Sequence, residues 1–225
     1  KPLYMIGCIN EIGERQKADN VSGLLGETGF REYMDQQDTP LEKGYLLRIG
    51  IDHFKEINDN FGQEYGDFVL RKTADCISGC LSEGQKVYKL VADEFLILDV
   101  SSDKVRDAEK LYDKVREAID RFIEANKFKV MYTVSGGIVP FGTLGGDQYS
   151  EALKLTDFAL NEAKKLGRNR CYIYNEETYR RFLRKREITQ ELREAVINGF
   201  QGFTAFYQPV FAEDKKVPYG AEALM

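Results

Sequence analysis

Apolar and polar positions along the chain switch between two periods, and the switches mark its elements. Leu3–Ile9 (LYMIGCI) is a short apolar run with β-branched members and reads as a strand, and Asn10–Asp19 is a charged connection. From near Gly26, Phe30 and Met34 fall on one helical face, and Pro40 with its charged neighbours ends that helix. Tyr45–Ile51 (YLLRIGI) predicts a buried strand, followed by Asp52–Lys55 and a turn at Asn58–Gly62. Between Tyr65 and Leu81, Phe68, Leu70, Ala74, Ile77 and Leu81 recur at helical spacing. Lys86–Leu90 and Glu94–Val100 are β-type runs joined by Val91-Ala92-Asp93, which predicts a hairpin. Val105, Ala108, Leu111, Val115, Ile119 and Phe122 mark a long amphipathic helix, and Phe128–Val139 a further strand. Ala152, Leu155, Ala159, Ala163 and Leu166 mark a helix that stops at Gly167, and Cys171–Tyr174 is a last short strand of this set. After Asn175 come a charged helical stretch and an apolar strand at Phe203–Val210.

The order strand, helix, hairpin, helix, strand, helix, strand gives an α/β (α+β) fold. It contains the βαββαβ split unit, a mostly antiparallel sheet with helices packed on it, rather than a doubly wound parallel sheet.

Composition narrows the chemistry. With 225 residues, 43% hydrophobic, 31% charged and no tryptophan, the chain has an ordinary soluble composition. It contains no run of eighteen apolar residues, so it predicts no membrane-spanning helix. Lys1-Pro2-Leu3 lacks the pattern of a secretory signal and is expected to be an internal cut from a longer chain. The formal charge of -5 argues against nucleic-acid binding through a broad basic face, so an anionic ligand has to be held by a few local cations or a metal. Cys8, Cys76, Cys80 and Cys171 show no metal-ligand spacing, and His53 is the one histidine; reduced thiols in a cytosolic protein are expected.

Three segments carry the candidate chemistry. They are Gly50–Asp67 at the end of the predicted strand, the hairpin Val91–Phe95, and Asp157–Arg170 at the end of a helix. Carboxylates at a strand end beside carboxylates of an adjacent hairpin can hold Mg²⁺, which prefers oxygen ligands and borrows others from phosphates. Lys164 and Arg168, four apart, are expected on one helix face, a pair suited to a polyphosphate.

These segments resemble the GGDEF family, the diguanylate cyclases and their degenerate relatives, from about Asp19 to Tyr174. Asp19-Asn20-Val21-Ser22-Gly23-Leu24 is similar to the family's D-x-L-T-G-L opening. Ile51-Asp52-His53-Phe54-Lys55, Asn58-Asp59, Gly62 and Gly66-Asp67 match its most characteristic block; Val134-Ser135-Gly136-Gly137 resembles its V-S-x-G strand. Asp157, Ala159-Leu160, Ala163-Lys164 and Gly167-Arg168-Asn169 match its closing helix. Tyr207-Gln208-Pro209-Val210 and Gly220-Ala221-Glu222-Ala223-Leu224 look like the opening of an EAL phosphodiesterase domain, and Leu3–Asp19 like the last strand of a PAS-type sensor and its linker. The implied divisions are 1–18 (end of a sensor and linker), 19–176 (GGDEF domain, a ferredoxin-like nucleotidyl-cyclase palm) and 177–225 (linker helix and start of an EAL domain).

The resemblance implies joining of two GTP molecules into cyclic di-GMP between two facing domains, with two metal ions activating the nucleophile. By position, Asn58 and Asp67 would contact guanine, with Phe54 beside them, and Lys55, Lys164 and Arg168 the phosphates. The catalytic acids would be Asp93 and Glu94; the metal would fall on the Ile51 carbonyl and Asp93, with Asp52 a further candidate. Departures from the family weigh against turnover. Gly50 stands where the first-strand metal aspartate belongs, and Val91-Ala92 replace the hairpin glycines, with β-branched Val91 expected to intrude. Gln63 replaces the usual histidine, and Ser82 and Gln85 replace the inhibitory R-x-x-D. The expectation is a degenerate domain with weak or absent Mg²⁺, GTP as ligand and no useful cyclase activity, regulating an adjacent EAL domain, itself a homodimer candidate and cytoplasmic, in a parent that can be membrane-associated. The alternative is an active cyclase in which Asp52, Asp93 and Glu94 hold the metals.

Overall fold

A computed structural model describes residues 18–102, 104–126, 128, 130–211 and 217–224. The strand expected at Leu3–Ile9, most of the connection after it and Cys8 lie outside the described residues. The chain divides into two compact units, Lys1–Tyr174 and Asn175–Met225.

The first unit is built on a five-stranded sheet. Its strands are β1 (Tyr45–Ile51), β2 (Gln85–Lys89), β3 (Glu94–Asp99), β4 (Val134–Pro140) and β5 (Cys171–Ile173), in the order β2-β3-β1-β4-β5. All neighbours pair antiparallel except β4 and β5. The helices are α1 (Glu27–Asp35), α2 (Phe54–Phe61), α3 (Gln63–Ser78), α4 (Val105–Ala125) and α5 (Gln148–Lys165), with a short 3-10 turn at Phe141–Thr143. This is the expected βαββαβ arrangement, with one extra parallel strand at the edge.

Every residue of β1 is buried, because the strand lies mid-sheet with helices on both faces. Alternation assigns the faces. Tyr45, Leu47, Ile49 and Ile51 join the core under α2, α3 and α4, with Val69, Ile77, Phe95, Val115 and Ile119. Leu46 joins the opposite core, with Phe30 and Met34 of α1, Leu96, Leu98, Phe141 and Ala152. Arg48 and Gly50 follow Leu46 on this second face.

Adjacent glycines set how closely the helices approach. A Cβ on Gly137 would lie 2.3 Å from the Leu160 nitrogen of α5, and one on Gly136 2.8 Å from Tyr112 of α4. Each face of β4 is therefore bare where a helix crosses it, and α5 settles directly over β4 and β1.

Four expectations are corrected. Asn58–Gly62 is the end of helix α2 rather than a turn: Phe54, Ile57 and Phe61 recur at helical spacing, Ile57 is buried, and the break falls at Gly62 (φ 83°). The strand expected from Phe128 begins at Val134, where β1 supplies its first partner, Ile51; before it, Phe128 packs among Tyr65, Phe68 and Phe122. Lys164 and Arg168 do not share a helix face. α5 ends at Lys165 in a Schellman motif, with the Arg168 N–H donating to the Ala163 carbonyl and Gly167 at φ 114°, so Arg168 turns off the helix. The fourth lies in the second unit, where the apolar strand starts at Phe206, not Phe203.

The second unit holds α6 (Glu176–Ile197) and an antiparallel hairpin of β6 (Phe206–Phe211) and β7 (Pro218–Leu224). Asn175 caps α6 by accepting from the Thr178 N–H, and the Arg180–Glu176 and Arg181–Glu177 pairs brace its first turns. Glu222 lies opposite Gln208 on exposed strands.

Candidate functional site

The candidate site lies at the end of β1 on the α5 face. α5 presents Leu153, Asp157, Leu160 and Lys164 along one stripe, each three or four residues from the next, above β1. Gly50 pairs with Glu94 across β1 and β3. A Cβ built on Gly50 would stand 3.1 Å from Lys164 Nζ and 3.4 Å from its Cε. The ammonium of Lys164 thus occupies the space over the one residue of β1 that has no side chain, 3.7 Å from Glu94 Oε1.

The other oxygen of Glu94 is held by Arg48. Arg48 Nε donates to Glu94 Oε2 at 2.7 Å, its Nη2 pairs with the same oxygen, Nη1 donates to the Leu153 carbonyl at 3.1 Å, and Nη2 lies 3.5 Å from Asp157. The Arg48 side chain is 8% exposed and that of Glu94 15%, so this is a charge network sheltered from water. Glu94 therefore faces a cation on each oxygen.

Asp93 sits on the hairpin turn. The Ile51 N–H donates to its carbonyl, and the Glu94 N–H closes the turn onto Val91. Burial pushes the Asp93 carboxyl above its ordinary range and neighbouring Glu94 adds to this, against the pull of Lys164 and Lys89. Val91, expected to intrude, is 64% exposed; the residue in a left-handed conformation is Ala92, at φ 51°. Lys89 lies buried beneath the turn and donates to the carbonyls of Leu90 and Ala92. Burial lowers the Lys89 pKa against the opposing charges of Asp19, Asp93 and Glu94. Burial opposes ionisation of Asp19, but the Ser22 amide and hydroxyl, with Lys89, hold its carboxyl below the usual range.

Asp52, the residue after β1, is buried and held by three donors. Its oxygens accept from Ser135 Oγ and Thr133 Oγ1, both at 2.7 Å, and from the Asn169 N–H at 3.2 Å. It ties the end of β1 to β4 and to the segment after α5. Asn58 packs against the first turn of α3: a Cβ on Gly66 would fall 1.8 Å from Asn58 Oδ1 and 3.3 Å from the Phe54 ring. Asn58 Oδ1 is buried and has no hydrogen-bond partner among the described residues. The structure thus brings Asn58, Phe54 and Gly66 together on one side, and Gly50, Asp93, Glu94 and Lys164 on another. Lys55 and Arg168 are exposed and Asp67 half-buried. Among the described residues no group of three or more His, Cys, Asp or Glu is arranged to hold a metal.

Sequence reasoning missed Arg48 and Lys89. The signal for Arg48 was a single charge inside the apolar run YLLRIGI, which calls for a buried partner.

The sequence profile described as "Diguanylate cyclase, GGDEF domain" matches residues 16–170. Among curated proteins, the cyclic di-GMP phosphodiesterase NbdA of Pseudomonas aeruginosa is 28% identical over 219 residues, covering 95% of this chain and 27% of that protein. The diguanylate cyclase VdcA of Vibrio cholerae is 29% identical over 156 residues, covering 68% of this chain and 45% of that protein. The chain thus spans less than half the length of these relatives. Among solved structures, the GGDEF domain of YfiN from Pseudomonas aeruginosa superposes with a TM-score of 0.62 at 24% identity, covering 74% of this chain and 99% of that one. The S helix-GGDEF-EAL portion of LapD from Vibrio cholerae gives 0.64 at 18% identity, covering 99% of this chain and 52% of that one. At these identities both show likeness of fold.

Proposed function

The chain belongs to the GGDEF family of diguanylate cyclase domains, and on that premise we propose that it is a degenerate, catalytically impaired member that regulates a neighbouring EAL phosphodiesterase domain. The observation that carries this reading is at Gly50: the position offers no carboxylate, and a lysine ammonium stands over it instead. Mg²⁺ binding is weak or absent. GTP remains a candidate ligand, with Asn58, Asp67 and Phe54 on the base and Lys55 and Arg168 on the phosphates; Lys164 is drawn toward Glu94.

Supporting the wider arrangement, the match to the phosphodiesterase NbdA extends over 95% of the chain, and β6 and β7 carry the EAL-like segments Tyr207–Val210 and Gly220–Leu224. Residues 1–18 belong in this reading to an upstream sensor and its linker, 19–176 to the GGDEF domain and 177–225 to the linker helix and the start of the EAL domain; the degenerate signature is VADEF. The domain works in the cytoplasm, with a homodimer as its candidate assembly. Among the described residues no helix is long and apolar enough to cross a membrane.

The alternative, an active cyclase with metals on Asp52, Asp93 and Glu94, has the geometry against it: Asp52 already accepts three hydrogen bonds and Glu94 is shared by Arg48 and Lys164. The test is a product assay on the 225-residue chain with GTP and Mg²⁺, alongside calorimetry with GTP. Loss of one electrostatic stabiliser of a transition state costs about 10²–10³ in rate, so cyclic di-GMP formation is expected at least that far below an active relative. Turnover at a relative's rate overturns the reading.

A further inference from the structure

We propose that Lys164 is a built-in counter-ion whose ammonium keeps divalent cations off the hairpin carboxylates, so that lysine and metal compete for them. This rests on the reading above and adds what keeps the hairpin metal-poor.

Space comes first. The end of Lys164 fills the volume above Gly50, with Nζ 3.1 Å and Cε 3.4 Å from where a Cβ would be. A Cβ at this position would press on the tip of the lysine, which would have to give by a few tenths of an ångström. The lysine is brought there by the backbone, because α5 lies against Gly137 with Leu160 packed one turn before Lys164.

Charge follows. Lys164 Nζ is 3.7 Å from Glu94 Oε1, and its field reaches Asp93. The remaining Glu94 oxygen is committed to Arg48, which is itself anchored on the Leu153 carbonyl and Asp157. The side chains of Lys164 and Glu94 are 25% and 15% exposed, so water screens their attraction only partly. A divalent ion arriving at Asp93 and Glu94 would meet an ammonium already in contact with one of them and a guanidinium on its far side. It gains those oxygens only by expelling Lys164 toward solvent.

Fit points the same way. Mg²⁺ and Mn²⁺ need several oxygen ligands at once. Asp52 already accepts three hydrogen bonds, Gly50 has no oxygen side chain, and Glu94 is neutralised on both sides, which leaves Asp93 as the hairpin carboxylate without an ion pair in this network. The residues present therefore do not fit the metal pair that the family implies, and Lys164 supplies the positive charge in its place.

The experiment is a Mn²⁺ titration of the nucleotide-free 225-residue chain, followed by the electron paramagnetic resonance signal of free Mn²⁺. The unmodified chain is expected to show no saturable site below the millimolar range. Lys164→Met removes the charge while keeping most of the length and is expected to bind Mn²⁺ at least about tenfold tighter, the scale on which a charge at this distance shifts proton affinity of a carboxylate. Lys164→Arg keeps the charge and is expected to behave as the unmodified chain does. Saturable micromolar binding by the unmodified chain overturns the proposal, as does equal Mn²⁺ affinity in Lys164→Met. If Lys164→Met fails to fold, Lys164→Gln takes its place, and the titration of the unmodified chain still decides. No GTP is present, so the result stands apart from the product assay: turnover would overturn the functional reading, and the titration alone judges the lysine.

Discussion

A guanidinium in the middle of a buried central strand is costly unless its hydrogen-bonding capacity is met, and Arg48 meets it with Glu94, the Leu153 carbonyl and Asp157. Removing Arg48 takes the nearer of two cations from Glu94 and leaves Lys164 as the other. Arg48→Met is therefore expected to destabilise the first unit by about 1–3 kcal/mol, measured by urea unfolding. Arg48→Met combined with Glu94→Gln is expected to recover a good part of that loss; strict additivity of the two changes would show that the pair is not coupled. At this scale the sequence was only half legible. It identified Glu94, Asp93, Asn58 and Lys164 as chemistry-bearing, because their types and spacing stand out. It assigned Lys164 to phosphate, since spacing along a helix names a face but not the partner its long side chain reaches. The direction of Lys164 depends on Gly50, 114 positions away, and on how closely Gly137 lets α5 approach.

The hairpin shows how an element is held by residues that disfavour it. Ala92 adopts φ 51°, a conformation that costs an L-residue about 1–2 kcal/mol and glycine almost nothing. Lys89 braces the turn from below through the Leu90 and Ala92 carbonyls, and the Ile51 N–H ties it to β1. Ala92→Gly relieves the strain but frees the unfolded chain, which offsets roughly 0.4–1 kcal/mol. The net expectation is a stabilisation of up to about 1.6 kcal/mol, read as a rise in melting temperature of roughly 2–4 °C for each kcal/mol gained. A lower melting temperature would mean that the turn is not strained at this residue. The hairpin itself, like β1, α1, α4 and α5, was legible from periodicity because each element is long enough to repeat its pattern. Helix α2 was not: Asn58, Asp59, Asn60 and Gly62 are turn formers, and they outweighed the signal of Phe54, Ile57 and Phe61 until tertiary burial of Ile57 fixed the helix. The late start of β4 was equally hidden, because a strand begins where a partner is present and the sequence does not show that β1 ends at Ile51.

Across the whole molecule, the two units differ in what protects their backbones. β1 has a strand on each side, a helical layer on each face and no exposed residue, and it pairs over its full length with β4. β6 and β7 pair only with each other, every described residue of both is exposed, and they carry Phe206, Tyr207, Phe211 and Tyr219 at 52–73% exposure. A two-stranded ribbon without a packed face is marginal in water, whereas strands with a core on both sides open only by global unfolding. The order of elements along the chain, readable from its periodicity, carries none of this information; the number of layers over each strand does. Hydrogen exchange followed by mass spectrometry should therefore show the amides of Tyr45–Ile51 among the slowest in the chain, with exchange that tracks its overall stability. Those of Phe206–Phe211 and Pro218–Leu224 should exchange orders of magnitude faster, and destabilising the first unit through Arg48→Met should accelerate β1 while leaving the hairpin rates unchanged. Slow exchange in β6 and β7 at the level of β1 would mean that the ribbon is covered in solution, and the hairpin would then have to be counted as part of a packed layer.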